Sequence, residues 1–267
     1  MTAVIDARHS CWSYDDPRPF DEFTRGFLGA GLSAGARVWY IPGRVGDAVT
    51  DWLHAQAAAS ARPDTVRVVA PENAYAAVDP ALQVDAWAAA ADDALAAGFT
   101  GLRVVADVTD LVRTDEQREA FARYEWAIGR FLRTAPVRGV CAYDRRELGD
   151  RVVAGLACLH EVVHGGGVTF RLHSGPTPAV AVLDGEVDQT AEELFAAALG
   201  HTDLEPVGGE VTVDADGLRF IDHRSMLVLE RYAQSRHLTA VVRTRLGTAA
   251  RLAGLLDLSH VRVELGP

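Results

Sequence analysis

The chain has 267 residues, half of them hydrophobic, and carries a net charge of −11. That apolar fraction supports a packed core rather than disorder, and the acidic surface repels phosphate backbones and so disfavours nucleic acid. All 26 basic residues are arginine, which excludes a phosphate-binding-loop lysine and the lysine Schiff base of pyridoxal-phosphate enzymes.

In chain order, His9 to Tyr14 reads as a first strand, and Asp15-Asp16-Pro17-Arg18-Pro19 as a breaker. Phe20, Phe23, Phe27 and Leu28 recur on one face of a helix that fades near Gly31 and Gly35. Val38 to Ile41 is a strand closed by Pro42-Gly43; 47–60 is a helix, Val66 to Val69 a strand, and 81–97 an Ala-rich helix stopped by Gly98. Leu102 to Val105 is a strand, and the Asp107-Val108-Thr109-Asp110 acids at its carboxyl end suit either a crevice or a helix cap. Phe121, Tyr124, Ile128, Phe131 and Leu132 mark an amphipathic helix; Val137 to Tyr143 is a strand, and 145–164 reads as helical. Strand–helix alternation of this kind predicts an α/β fold with a parallel sheet covered on both faces.

Gly165-Gly166-Gly167 reads as a linker between domains 1–165 and 168–267. After it come strands at Val168 to Leu172 and Val180 to Leu183, helix 190–199, strand 210–214, helix 223–237, strand 240–243, helix 247–257 and strand 261–265. This is a second, smaller α/β domain. The three cysteines, Cys11, Cys141 and Cys158, are odd in number and widely spaced, which points to a reducing cytoplasm rather than a disulfide framework. The N-terminus has no apolar signal core, and no run approaches a membrane span.

The segment Leu183-Asp184-Gly185-Glu186-Val187-Asp188 and the later Gly217-Leu218-Arg219-Phe220-Ile221-Asp222, at this spacing, resemble the STAS domains of anti-sigma factor antagonists. The resemblance implies a protein-interaction module whose partner is an anti-sigma factor or a related kinase, with Asp188, Asp222, His223, Arg224 and Ser225 at the contact surface. In that family a phosphorylatable serine opens the helix after the third-strand aspartate. Here His223 stands at that position, Arg224 at the next hydroxyl position and Ser225 at a glycine position, so serine phosphorylation at the family position is not expected. The plainer reading makes Asp222 an N-cap for helix 223–237 and Asp188 an Asx turn or cap for the helix opening at Thr190.

His9-Ser10-Cys11-Trp12-Ser13-Tyr14 fits H-x-C-x-x-Y. With Gly31 to Ile41, Gly98 to Arg103 and Cys141 to Arg146, it resembles the MEDS domain, a sensory domain of methanogen and methylotroph proteins and of a dichloromethane-responsive regulator. The resemblance implies a degenerate RecA/KaiC-like fold that senses hydrocarbon derivatives. The residues agree on the degeneracy: two acids and two prolines stand where a phosphate loop would need glycines and a lysine. On a strand of period two, His9 and Cys11 share a face, as do Cys141 and Tyr143 on another. If those strands are neighbours, His9, Cys11, Tyr14, Cys141 and Tyr143 form a ligand site for a small apolar molecule with one polar handle. The alternatives are a zinc or haem site, or packing alone, since buried cysteines serve as small hydrophobes.

His160-Glu161-Val162-Val163-His164 has the H-E-x-x-H spacing of a zinc hydrolase, which requires one helix carrying both imidazoles. The metzincin extension is missing, because His173 lies nine residues beyond His164. The expectation is therefore a non-enzymatic signalling protein that needs no cofactor.

Overall fold

The computed structural model describes residues 7–43, 47–62, 64–75 and 79–266. The chain divides into two compact units, Met1–Val153 with Glu161–Gly166, and Ala154–His160 with Gly167–Pro267.

The first unit is built from β1 (His9–Tyr14), α1 (Pro17–Ser33), β2 (Arg37–Ile41), α2 (Asp47–Ala59), β3 (Val66–Val68), the single turn α3 (Pro71–Ala74), α4 (Pro80–Ala96), β4 (Leu102–Asp107), α5 (Asp115–Thr134), β5 (Val137–Asp144), α6 (Arg145–Leu148), the first half of α7 (Asp150–Ala157) and β6 (Val162–His164). Six strands form one sheet in the order β3-β2-β4-β5-β1-β6, every pairing parallel. Parallel strands need crossover helices, and these cover both faces. Tyr14, Val38, Tyr40, Val105, Val140 and Ala142 pack under Phe20, Phe27 and Leu28 of α1 and Val49 and Leu53 of α2. The alternate residues of the same strands, Val104, Ala106, Gly139 and Cys141, face Trp87 of α4 and Tyr124, Ile128 and Leu132 of α5.

Local chemistry fixes the helix that matters most. Thr114 and Gln117 form a reciprocal capping box at the start of α5, a pair of bonds that stabilises a helix end by about 1 kcal/mol. Pro136 follows its last residues and admits no further helix. The 145–164 helix expected from sequence is instead broken twice. Gly149, at φ +78, separates α6 from α7, and Val162-Val163-His164 pairs with β1 as a strand. Two adjacent β-branched valines beside an open sheet edge gain more from the ladder than from a helix turn. The two imidazoles of the H-E-x-x-H segment therefore do not share a helix face: His160 lies in a turn and His164 in β6. That corrects the helix a zinc-hydrolase reading needs.

The second unit contains β7 (Phe170–Ser174), β8 (Val180–Val187), α8 (Glu192–Gly200), β9 (Glu210–Asp214), β10 (Leu218–Ile221), α9 (His223–Ser235), β11 (Thr239–Thr244), α10 (Gly247–Leu255) and β12 (Val261–Leu265). Its sheet is mixed. β7 is antiparallel to β8, while β9 and β10 run parallel to successive halves of β8, and β11 and β12 continue the sheet in parallel. Gly185 sits at φ +94 in the middle of β8, where a Cβ would lie 2.3 Å from the Thr169 carbonyl oxygen, so only glycine fits. No described helix is long and apolar enough to cross a membrane.

Candidate functional site: a buried polar cluster beside a small cavity

β1 and β5 are neighbours in parallel register, with His9 opposite Gly139, Cys11 opposite Cys141 and Ser13 opposite Tyr143. Period-two alternation therefore puts His9, Cys11, Cys141 and Tyr143 on one face of the sheet, beneath α5. Tyr14 does not join them. It is an odd number of residues from His9, so its ring points to the opposite face, stacks on Phe20 at 5.2 Å and donates its hydroxyl to Asp107.

What joins three of the four is a residue that the motif does not contain. Glu125, on the inner face of α5, is fully buried. Its Oε1 accepts the Tyr143 hydroxyl at 2.6 Å, its Oε2 accepts the Cys141 thiol at 3.7 Å, and the same oxygen lies 3.0 Å from His9 Nε2. Burial pushes the Cys141 thiol and the Tyr143 phenol well above their ordinary values, and the Glu125 charge raises both further. Cys141 is thus held as a neutral thiol, unlike a nucleophilic cysteine, which needs an electropositive setting. All three cysteines are free.

His9 and Cys141 also line a cavity of about 30 Å³, together with Tyr75, Trp87, Val104, Ala106, Tyr124 and Ile128. Its wall is almost wholly apolar apart from this polar corner. Tyr124 accepts the Trp87 indole N–H at 2.9 Å and meets Tyr75 edge-on at 5.9 Å, so the aromatic wall is pinned. A larger hollow of about 340 Å³ is also lined by Tyr75 and Tyr124.

A family model for MEDS, the methanogen/methylotroph DcmR sensory domain, matches residues 8–161. The chain belongs to the MEDS family. Among solved structures, that of the anti-sigma factor antagonist SpoIIAA in its unphosphorylated form is similar at 16% identity, over 36% of this chain and 87% of that one, with a TM-score of 0.27. Among curated proteins none matches.

At the carboxyl ends of its parallel strands this MEDS chain is built against phosphate. Asp16 caps α1 by accepting the Arg18 N–H at 3.1 Å, in the turn where a phosphate loop would stand. Tyr14, Asp107, Asp110, Asp144 and Glu147, with Arg113 paired to Asp110 and Glu147, surround a hollow of only about 10 Å³, room for one water. Asp107 is raised by burial, although bonds from Tyr14 and Thr109 oppose the rise. Four carboxyl groups there outnumber the one guanidinium of Arg113 and disfavour an anion.

In the second unit Asp222 accepts the Ser225 N–H at 2.8 Å and caps α9. Asp188 accepts from Thr190 N at 2.9 Å and Ala191 N at 3.3 Å, capping a short 3₁₀ turn. Both capping readings are therefore what the two side chains do. His223 and Arg224 are exposed on the first turn of α9, and Arg224 Nη1 lies 3.6 Å from Glu192 Oε2. Ser225 is different. It is fully buried and donates its hydroxyl to the Val187 carbonyl at 3.3 Å, so it belongs to the core and not to a contact surface. Phe220, 47% exposed on β10, lies close in sequence to the exposed turn.

Sequence reasoning missed Glu125, Tyr75, Trp87 and Tyr124 as members of the site. A signal for Glu125 was present: with Phe121, Ile128 and Leu132 it falls at i+4, i−3 and i−7 on the apolar stripe of α5, where a carboxylate has no reason to sit unless it has partners.

Proposed function

We propose that the chain is a sensor and signalling adaptor, in which the MEDS unit takes up a small, mainly apolar molecule and the second unit engages a protein partner. The observation that carries this reading is the cavity of about 30 Å³ with one polar corner formed by His9 and Cys141. A volume of that size admits a molecule of one or two carbons and excludes a sugar or nucleotide. The apolar wall provides the burial, and the corner selects a polar substituent. The absence of lysine and the carboxyl-lined strand ends argue against a nucleotide as the signal.

The partner-facing reading rests on the order of strands and helices in the second unit and on the exposed first turn of α9. His223 in the position of the family serine and the buried Ser225 support a contact that no serine kinase controls at that turn. The partner class is an anti-sigma factor or its kinase-like relative, and no catalytic role is proposed for either unit.

Thermal unfolding in the presence of a series of one- and two-carbon halides, alcohols and thiols tests the sensor reading. A ligand present at ten times its dissociation constant stabilises the native state by about 1.4 kcal/mol. The expected result is stabilisation that falls away once the chain exceeds about three heavy atoms. If no member of the series raises the midpoint, the cavity is not a ligand site. Binding of purified anti-sigma factors from the same genome to wild type and Arg224→Glu tests the second half. Equal affinity for both proteins would remove α9 as the contact.

A further inference from the structure

We propose that His9, Glu125 and Cys141 form a binding site for a divalent transition metal, zinc above all. Each residue offers one ligand atom, and together with that of the buried His160 these atoms lie within 4.8 Å of one another. All three residues are buried, Glu125 completely.

The spacing is close to what zinc demands. Zinc bonds of about 2.0–2.1 Å to nitrogen and oxygen and 2.3 Å to sulfur give tetrahedral edges of about 3.4 Å for N···O and 3.6 Å for S···O. The Nε2···Oε2 separation between His9 and Glu125 is 3.0 Å, and the Sγ···Oε2 separation between Cys141 and Glu125 is 3.7 Å. Both of these separations lie within about half an ångström of the tetrahedral edges. The donor set, one imidazole, one carboxylate and one thiolate, is borderline-soft, which suits zinc and is poor for magnesium or calcium.

The supports are also in place. Tyr143 donates to the distal carboxylate oxygen, Oε1, at 2.6 Å and leaves Oε2 to face the other two ligands. β1 and β5 fix the backbones of His9 and Cys141 in adjacent strands, and the capped helix α5 fixes Glu125. The proton balance is simple: the Cys141 thiol gives up its proton to solvent as the sulfur binds the ion, and His9 binds as neutral imidazole. His9 and Cys141 also line the cavity, so a small molecule taken up there lies beside the ion. This last point rests on the cavity being the ligand site; the metal site itself does not.

The full-length protein, stripped with chelator, is titrated with Co²⁺ in the absence of any organic ligand, and with Zn²⁺ followed by elemental analysis. The expected result is one ion per chain, with a near-ultraviolet thiolate-to-cobalt band and tetrahedral visible bands. Cys141→Ala should abolish the thiolate band, and Glu125→Gln should weaken the ion by more than the about 10–100-fold typical for loss of a supporting group. Tyr143→Phe, which keeps all three ligands, should retain the band with affinity lowered within that range. Wild-type protein that keeps less than about a tenth of an equivalent and shows no thiolate band overturns the proposal, and so does a band that survives Cys141→Ala. The wild-type measurement needs no variant to fold. The small-molecule series repeated on stripped protein separates the two readings. Stabilisation without metal keeps the cavity as a ligand site and removes the metal from recognition. Metal binding with no response to the series keeps the ion and removes the sensor.

Discussion

Tyr143→Phe is the sharpest probe of the buried cluster in the metal-free protein. The substitution keeps the ring and removes one oxygen, so no cavity forms and the packing under α5 is unchanged. What is lost is a hydroxyl-to-carboxylate hydrogen bond of 2.6 Å between two fully buried side chains. A hydrogen bond to a charged group contributes about 1.5–3 kcal/mol, against about 1 for a neutral pair. With a urea slope of about 2 kcal/mol per molar, the midpoint should fall by about 1 M. All five tryptophans lie between Trp12 and Trp126, so fluorescence follows the first unit without interference from the second. Pairing the change with Glu125→Gln in a double-mutant cycle should give a coupling of at least about 1 kcal/mol, because the residues touch directly. A midpoint shift below about 0.2 M, or a coupling of zero, would show that this oxygen pair does not hold the cluster together.

Ala106→Val adds two methyl groups where the cavity wall faces β4, and small-ligand stabilisation should disappear while unfolding free energy moves by less than about 1.5 kcal/mol; retained ligand response would place the binding elsewhere. Asp222→Ala should destabilise the second unit by about 1 kcal/mol through loss of the α9 cap, read by hydrogen exchange of the α9 amides. Ser225→Asp should cost more, about 3 kcal/mol, because it buries a charge against the Val187 carbonyl; a neutral outcome would mean that the serine is accessible. Glu230 receives the His260 backbone N–H at 2.9 Å, the Ser259 N–H at 3.2 Å and the His260 ring. Although burial raises its carboxyl, these bonds outweigh that effect and hold it below the ordinary 4.5. A depressed carboxylate stabilises the fold above its unfolded value, and that contribution is lost as pH falls through the folded value. The second unit of wild type should therefore weaken more steeply below about pH 4.5 than that of Glu230→Gln, which a pH series of α9 hydrogen exchange reads directly.

The sequence by itself determined the α/β class and the main strands of both sheets, because the signals involved are short-range. Apolar runs such as Leu102 to Val105 and stripes such as Phe121, Tyr124, Ile128 and Leu132 are set by the periods of strand and helix. It also determined that the first turn could not cradle a phosphate, since that depends on residue type alone. The tertiary structure decided the rest. Whether His164 ends a helix or an edge strand depended on β1 offering it an open ladder, which no local window contains. That Cys11 and Cys141 stand opposite each other follows from the adjacency of β1 and β5, strands separated by more than a hundred residues. Tyr14 left the cluster by parity alone, a point legible in the motif once the face of the sheet carrying the cavity is known. Glu125 entered it from a helix because only a partner set drawn from two strands lets a carboxylate remain buried on an apolar stripe.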